Sequence, residues 1–230
     1  MFENDVKKQV IPVLCNVIGN IEWVQNPVVS HDLYINSYVL HKKFDKVELD
    51  DVFNGSYKGI NYNIVEAHYS KKETRRTKNG VRTQYVTVFD GLLITLDMNK
   101  KFNCHTVLKP NMGGRFLANG DLRHTVLEDP EFERKFDVLT NDEVEARYLL
   151  TPTFMERLKN IQMSFLAYST DCAFYQNKLI IAMETSQDMF HIGSIWKPLT
   201  DESQYFKMFE EVFSIIKLID HFKLDQKIGL

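Results

Sequence analysis

Between Tyr57 and Met183 the chain reads as a series of strand-length apolar runs punctuated by turn-forming pairs. Ile60, Tyr62 and Ile64 alternate with Asn61 and Asn63, the period-two pattern of a half-buried strand. Tyr85–Phe89, Leu92–Met98, Phe102–Leu108, Phe132–Leu139, Phe165–Tyr168, Ala173–Tyr175 and Leu179–Met183 are further strand candidates, rich in aromatic and aliphatic residues. Lys58-Gly59, Asn79-Gly80 and Gln176-Asn177-Lys178 supply turns between them. Asp90-Gly91 carries the strongest hairpin signal; the alternative is one long strand with a glycine kink. These features imply an antiparallel sheet of hairpins and meanders over residues 55–185.

Helical signals frame that sheet. Val6, Val10, Val13, Val17 and Ile21 form a stripe at helical spacing, with Pro12 as a kink or second start and Gly19-Asn20 as a stop. This predicts an N-terminal helix over 1–22. Residues 24–50 are mixed and read as irregular chain with short strands. Thr140-Asn141-Asp142-Glu143 is a capping box, and Thr151-Pro152 is an N-cap followed by proline at the first helical position, which predicts helices inserted at 141–162. Phe154, Leu158 and Ile161 form the inner stripe of the second. Thr200 as cap, Asp201 and Glu202 in the first turn, and Tyr205, Phe209, Val212, Ile216 and Ile219 on one face predict a long helix over 200–225 that packs on the sheet, with Lys223 and Lys227 near its end. The expectation is a single α+β domain covering 1–230.

Of 230 residues, 44% are hydrophobic and 26% charged, with 16 Phe and 10 Tyr, so an aromatic-rich globular core is expected and disordered or fibrous classes are excluded. No run approaches the roughly 18–20 apolar residues of a membrane-spanning helix. The start Met1-Phe2-Glu3-Asn4-Asp5 is acidic where a signal peptide has a basic region. Cys15, Cys104 and Cys172 are sparse and odd in number, which fits a reducing compartment; the seven histidines show no metal-ligand spacing. Cys104 and His105 are neighbours on a strand candidate and so point to opposite faces. Ser194-Ile195-Trp196-Lys197 matches S-x-x-K without its companion motifs, and no P-loop, G-x-G-x-x-G or G-x-S-x-G occurs. No catalytic residue, cofactor or metal is assigned, and whether the chain is an enzyme stays open.

Charge is uneven. The net value is −3, yet the segment from His68 to Arg123 is +7 and the remainder −10. Its densest part holds Lys71, Lys72, Arg75, Arg76 and Lys78, with Arg82 beyond the Asn79-Gly80 turn. On a hairpin tip these side chains meet either an anionic surface or only water, where they aid solubility. Residues 128–145 carry eight acids and two bases; they pair with the basic hairpin or sit at helix starts for dipole reasons. Glu66 and His68 follow Ile64 at spacing two, on the same sheet face. A carboxylate turned toward the core needs a partner, and Arg147 is the candidate for a structural ion pair with Glu66. The alternative is an acid/base couple of Glu66 and His68 in a pocket with His105 or Asp97.

Phe136-Asp137-Val138, Asp142, Glu145-Ala146-Arg147, Leu149-Leu150-Thr151-Pro152 and Phe154 resemble the signature of a bacterial family, the domain of unknown function 3137. Tyr57-Lys58-Gly59 leading to Glu66, Phe89-Asp90-Gly91-Leu92-Leu93 and Lys178-Leu179-Ile180-Ile181-Ala182 are similar to its other core steps, so the resemblance covers roughly 2–220. The family has no assigned activity, and no catalytic residue is carried over. Its members carry membrane spans upstream of this domain. The resemblance therefore implies a module at the cytoplasmic face of a bacterial inner membrane, held there through a segment this chain lacks. The resulting expectation is a non-enzymatic, membrane-proximal binding or scaffold module, its partner an anionic membrane surface or a membrane protein. An enzyme around Glu66 and His68 is the alternative. Nucleic-acid binding is not expected against a −10 background. Homo-oligomers through the first or last helix stay open.

Overall fold

The computed structural model describes residues 2–18, 21–24, 27, 29–40, 43–77, 80–111, 120–187, 189–190 and 203–222. Gly19-Asn20, Lys78, Asn79, Gly113-Gly114, Ser194 to Lys197, Thr200 to Glu202, Lys223 and Lys227 lie outside them, as do the side chains of Val6, Val17 and Tyr205.

The fold is mixed α+β, built on an open antiparallel sheet of nine strands. In chain order the elements are α1 (Phe2–Ile18), β1 (Ile21–Val24), α2 (Asp32–Asn36), β2 (Lys46–Tyr57), β3 (Ile60–Thr77), β4 (Gly80–Asp97), β5 (Thr106–Pro110), β6 (Arg123–Thr125), α3 (Pro130–Lys135), β7 (Phe136–Thr140), α4 (Glu143–Leu149), α5 (Pro152–Ser164), β8 (Ser169–Tyr175), β9 (Lys178–Glu184), α6 (Ser203–Ile216) and α7 (Leu218–Phe222). The sheet order is β1-β2-β3-β4-β9-β8-β5-β7-β6.

Both faces of the sheet are covered. On one face Ile60, Tyr62, Ile64, Leu92, Ile94 and Ile181 pack with Ile11 of α1, Leu158 of α5 and Met208, Val212 and Ile215 of α6. On the other, Val65, Tyr69, Leu93, Val107 and Ile180 lie under Tyr34, Val39, Leu40 and Leu122. Two buried faces explain why β9 and the inner part of β4, from Gly91 to Leu96, read as continuous largely apolar runs rather than as an alternation. The tight turns fall where the sequence signals them. Lys58 and Gly59 have φ of 50° and 77°, and Gln176 and Asn177 have 51° and 58°, which suits two-residue hairpins.

Several expectations are corrected. Asp90-Gly91 is no hairpin: β4 runs unbroken through it, pairing with β3 on one side and β9 on the other. The sheet starts well before residue 55: β1 opens at Ile21, where the sequence predicts the N-terminal helix running on to residue 22, and the twelve-residue β2 opens at Lys46, inside the stretch read as irregular with short strands. Phe132 belongs to α3, capped by Asp129, and the strand starts only at Phe136. Residues 102–105 and 165–168 are not strand. The buried stripe of α1 is Lys7, Ile11 and Cys15, with Val13 exposed, and the helix runs through Pro12. The C-terminal helix is two, broken at Lys217. The cap of α4 is Asp142, whose Oδ1 accepts the Val144 and Glu145 amides at 3.0 Å each.

Candidate functional site

The sheet sends out one arm. β2 pairs with β3 only as far as Ser70, and β9 pairs with β4 only from Gly91. Beyond those points β3 and β4 pair with each other alone, from Ser70 opposite Thr87 to Thr77 opposite Gly80. At about 3.3 Å per residue the ribbon reaches roughly 25 Å past the sheet. Of the six residues proposed for contact with an anionic surface, Lys71, Lys72, Arg75, Arg76 and Arg82 stand on it, all exposed; Lys78 is outside the described residues.

Register sorts these residues onto two faces. One carries Lys72, Thr74 and Arg76 on β3 opposite Tyr85, Thr83 and Val81 on β4. Thr74 and Thr83 touch across it, Oγ1 to Oγ1 at 3.3 Å. The other carries Lys71, Glu73 and Arg75 opposite Val86, Gln84 and Arg82. Glu73, the ribbon's one acid, lies 3.5 Å from Arg75 there. Arg75 and Arg82 oppose each other directly, an arrangement of like charges that costs stability in water. At the root of the arm Asp45 Oδ2 accepts the Lys72 amide at 2.7 Å.

An acidic cleft of about 300 Å³ opens beside that root, lined by Glu48, Asp50, Glu66, His68, Asp90 and Thr185 among others. It gathers Glu66 and His68 on one face as expected, with His68 Nδ1 3.4 Å from Asp90 Oδ2. Asp50, Asp51 and Glu66 offer carboxylate oxygens within 4.8 Å of one another. A cation already stands among them: Lys7 Nζ lies 2.6 Å from Asp51 and 3.6 Å from Asp50. Asp51 is 1% exposed, and its second oxygen accepts the Trp23 indole N–H at 2.8 Å. Burial pushes its carboxyl above the ordinary value, against the pull of Lys7 and Trp23. Lys7 and Asp51 thus form a buried joint between α1 and β2, with Asp50 and Glu66 beside it. The signal for it was a lysine at helical spacing from Ile11 and Cys15, which the valine stripe obscured.

Glu66 and Arg147 do not pair. Glu66 Oε1 accepts the Met189 amide at 2.9 Å, whereas Arg147 is half exposed, 3.9 Å from Glu143 and donating to the Val126 carbonyl. Nor do His105 and Asp97 join the cleft. His105 stacks on Tyr38 and tilts against Tyr175, and Asp97 pairs with Lys178 and Asn61. Cys104 faces one core while His105 lies against the other, although neither belongs to a strand. Burial pushes the thiols up, to about 11 for Cys15 and about 12 for Cys104, so neither is a nucleophile at neutral pH.

The acid-rich stretch 128–145 works locally. Asp129 and Asp142 cap helices, and Glu133 Oε1 accepts the Leu127 amide. Glu145 Oε2 accepts the Asn103 and Cys104 amides at 2.9 and 2.6 Å, tying α4 to the chain that enters β5. Ala146, Leu149 and Leu150 are buried, and Thr151 Oγ1 caps α5 with Pro152 at its first position. The E-A-R-x-L-L-T-P run is therefore a folding joint.

The family described as "Protein of unknown function (DUF3137)" matches residues 87–224, more than half of the chain. The chain belongs to this family. The match takes in the signature from Phe136 to Leu158, while Tyr57-Lys58-Gly59 and Glu66 precede it. No curated protein matches the DUF3137 chain. Among solved structures, the mycobacterial trehalose monomycolate transport factor A, TtfA, is similar at 12% identity and a TM-score of 0.45, over 96% of this chain and 97% of that one. A likeness that remote carries no argument. Among the described residues of this DUF3137 protein, no helix is long and apolar enough to cross a membrane.

Proposed function

We propose that this domain is a non-enzymatic binding or scaffold module that meets an anionic membrane surface, on the cytoplasmic side, through its β-arm. The arm carries the reading: a ribbon of roughly 25 Å beyond the sheet, with five exposed bases against one acid. A polybasic segment near anionic lipid gains on the order of 1 kcal/mol per charge, and that gain is screened by salt. Duplex nucleic acid is disfavoured because the rest of the chain is −10. An enzymatic reading has the acidic cleft in its favour, but Lys7 already engages Asp51 and Asp50 at its back.

Co-sedimentation tests the proposal. The chain is expected to bind phosphatidylserine vesicles at 50 mM salt, to leave them at 0.5 M, and to ignore neutral vesicles. A variant with a two-residue turn in place of 71–86 keeps the Ser70–Thr87 pair and should fold without binding. Absence of wild-type binding at low salt would reject the membrane reading.

A further inference from the structure

The two faces of the arm differ in what they offer a bilayer. Lys71, Arg75 and Arg82 share their face with Glu73, which lies against Arg75. The opposite face has no acid, and its two edges are chemically distinct. Along β3 run Lys72, Thr74 and Arg76; along β4 run Tyr85, Thr83 and Val81. Tyr85 is 58% exposed and Val81 65%, whereas Val86, the apolar residue of the other face, is only partly exposed.

An aromatic ring and an aliphatic side chain beside a row of cations is the composition that settles at a membrane interface. The ring sits at headgroup depth, the apolar groups enter the acyl boundary, and the bases meet phosphate. We infer that this face is the one that lies on the bilayer: Lys72 and Arg76 hold anionic headgroup phosphates while Tyr85 and Val81 enter the interface. The inference rests on the membrane reading above and adds to it an orientation and an apolar component. One acid at the root bears on this face: Asp45, whose Oδ2 accepts the Lys72 amide at 2.7 Å, offsets part of the charge at Lys72 and leaves Arg76 the larger share. Asp90 lies opposite His68, four residues before Lys72. That is about 13 Å along the strand, beyond the Debye length of about 8 Å at physiological salt.

Two charge-matched variants separate the faces. Lys72→Gln/Arg76→Gln removes two charges from the amphipathic face, and Arg75→Gln/Arg82→Gln removes two from the other. On phosphatidylserine vesicles the first is expected to weaken binding roughly 25-fold, about fivefold per charge, and the second less than about fivefold. Tyr85→Ser should weaken binding at 50 mM salt while leaving its salt dependence unchanged. Tyr85→Trp should add an emission, over the wild-type background, that lipids brominated near the headgroup quench. Equal losses from the two pairs, with that added indole unquenched, would overturn the face assignment and leave the membrane reading intact. Wild-type chain that ignores anionic vesicles but shifts duplex DNA at 0.15 M salt would overturn both.

Discussion

His105 lies in a narrow slot between two tyrosines. Its ring is parallel to Tyr38, 5.2 Å between centroids, and 4.6 Å from Tyr175. Nε2 lies 3.2 Å from the Ser37 carbonyl, which only accepts, so the proton sits on Nε2. Burial holds the imidazole below its ordinary value, with the Ser37 carbonyl pulling the other way. The folded chain therefore binds fewer protons than the unfolded chain below about pH 6.5. The stability this contributes is present above that pH and is lost as pH falls toward the folded value. His221, lowered chiefly by burial, acts in the same sense. Thermal melts at pH 7.5 and 5.0 should show a smaller drop for His105→Gln than for the wild type. Equal drops would discard His105 as a source. Single residues were only partly legible in the sequence. Glu66 turning toward a core could be read from spacing, but its partner could not, because Arg147 lies on a helix whose direction only the tertiary structure sets. The capping roles of Asp129 and Thr151 were open to reading in different degrees: Thr151-Pro152 announced itself, while Asp129 heads a helix of six residues, too short for periodicity to show.

At the scale of elements, β4 depends on Gly91. Its φ is +146°, and a Cβ there would stand 2.1 Å from the Met183 carbonyl oxygen on β9. Gly91→Ala combines backbone strain with a clash that only a shift of β9 relieves, and should cost about 2–4 kcal/mol. A urea midpoint unchanged from the wild type would contradict this. The same residue explains why Asp90-Gly91 misled: the glycine serves close approach between strands, and the sequence signature of a turn is the same pair. β2 was missed for a different reason. Val47 and Leu49 alternate with Lys46, Glu48 and Asp50, but the outward charges are dense enough to look like loop, and a bulge between Leu49 and Val52 breaks the period. The arm was readable as a basic hairpin, and its length was not, since nothing local says where β2 and β9 stop pairing.

Across the whole molecule, α1 is joined to the sheet by a buried charge pair. Lys7→Met would strand Asp51, 1% exposed, with Trp23 as its main remaining partner, at a cost of about 3–5 kcal/mol. Adding Asp51→Asn should recover much of that loss, because no charge is then left buried. Chemical denaturation of both variants checks this, and a double variant no better than the single would show that Lys7 acts through packing instead. The layered α+β arrangement was legible because strand runs and helical stripes alternate along the chain; the sharing of helices between two faces was not, since it follows from which strands become central.

The family match opens at Thr87, the residue paired with Ser70 where the ribbon leaves the sheet. That boundary does not mark off the body, since β1, β2 and the sheet part of β3 lie before it; the probe, the ribbon itself, is separable because beyond the pair β3 and β4 bond only to each other. A tight turn closes the Ser70–Thr87 pair as readily as the full ribbon does, so a probe of another charge or length grafted at that pair would redirect the same body to a different surface.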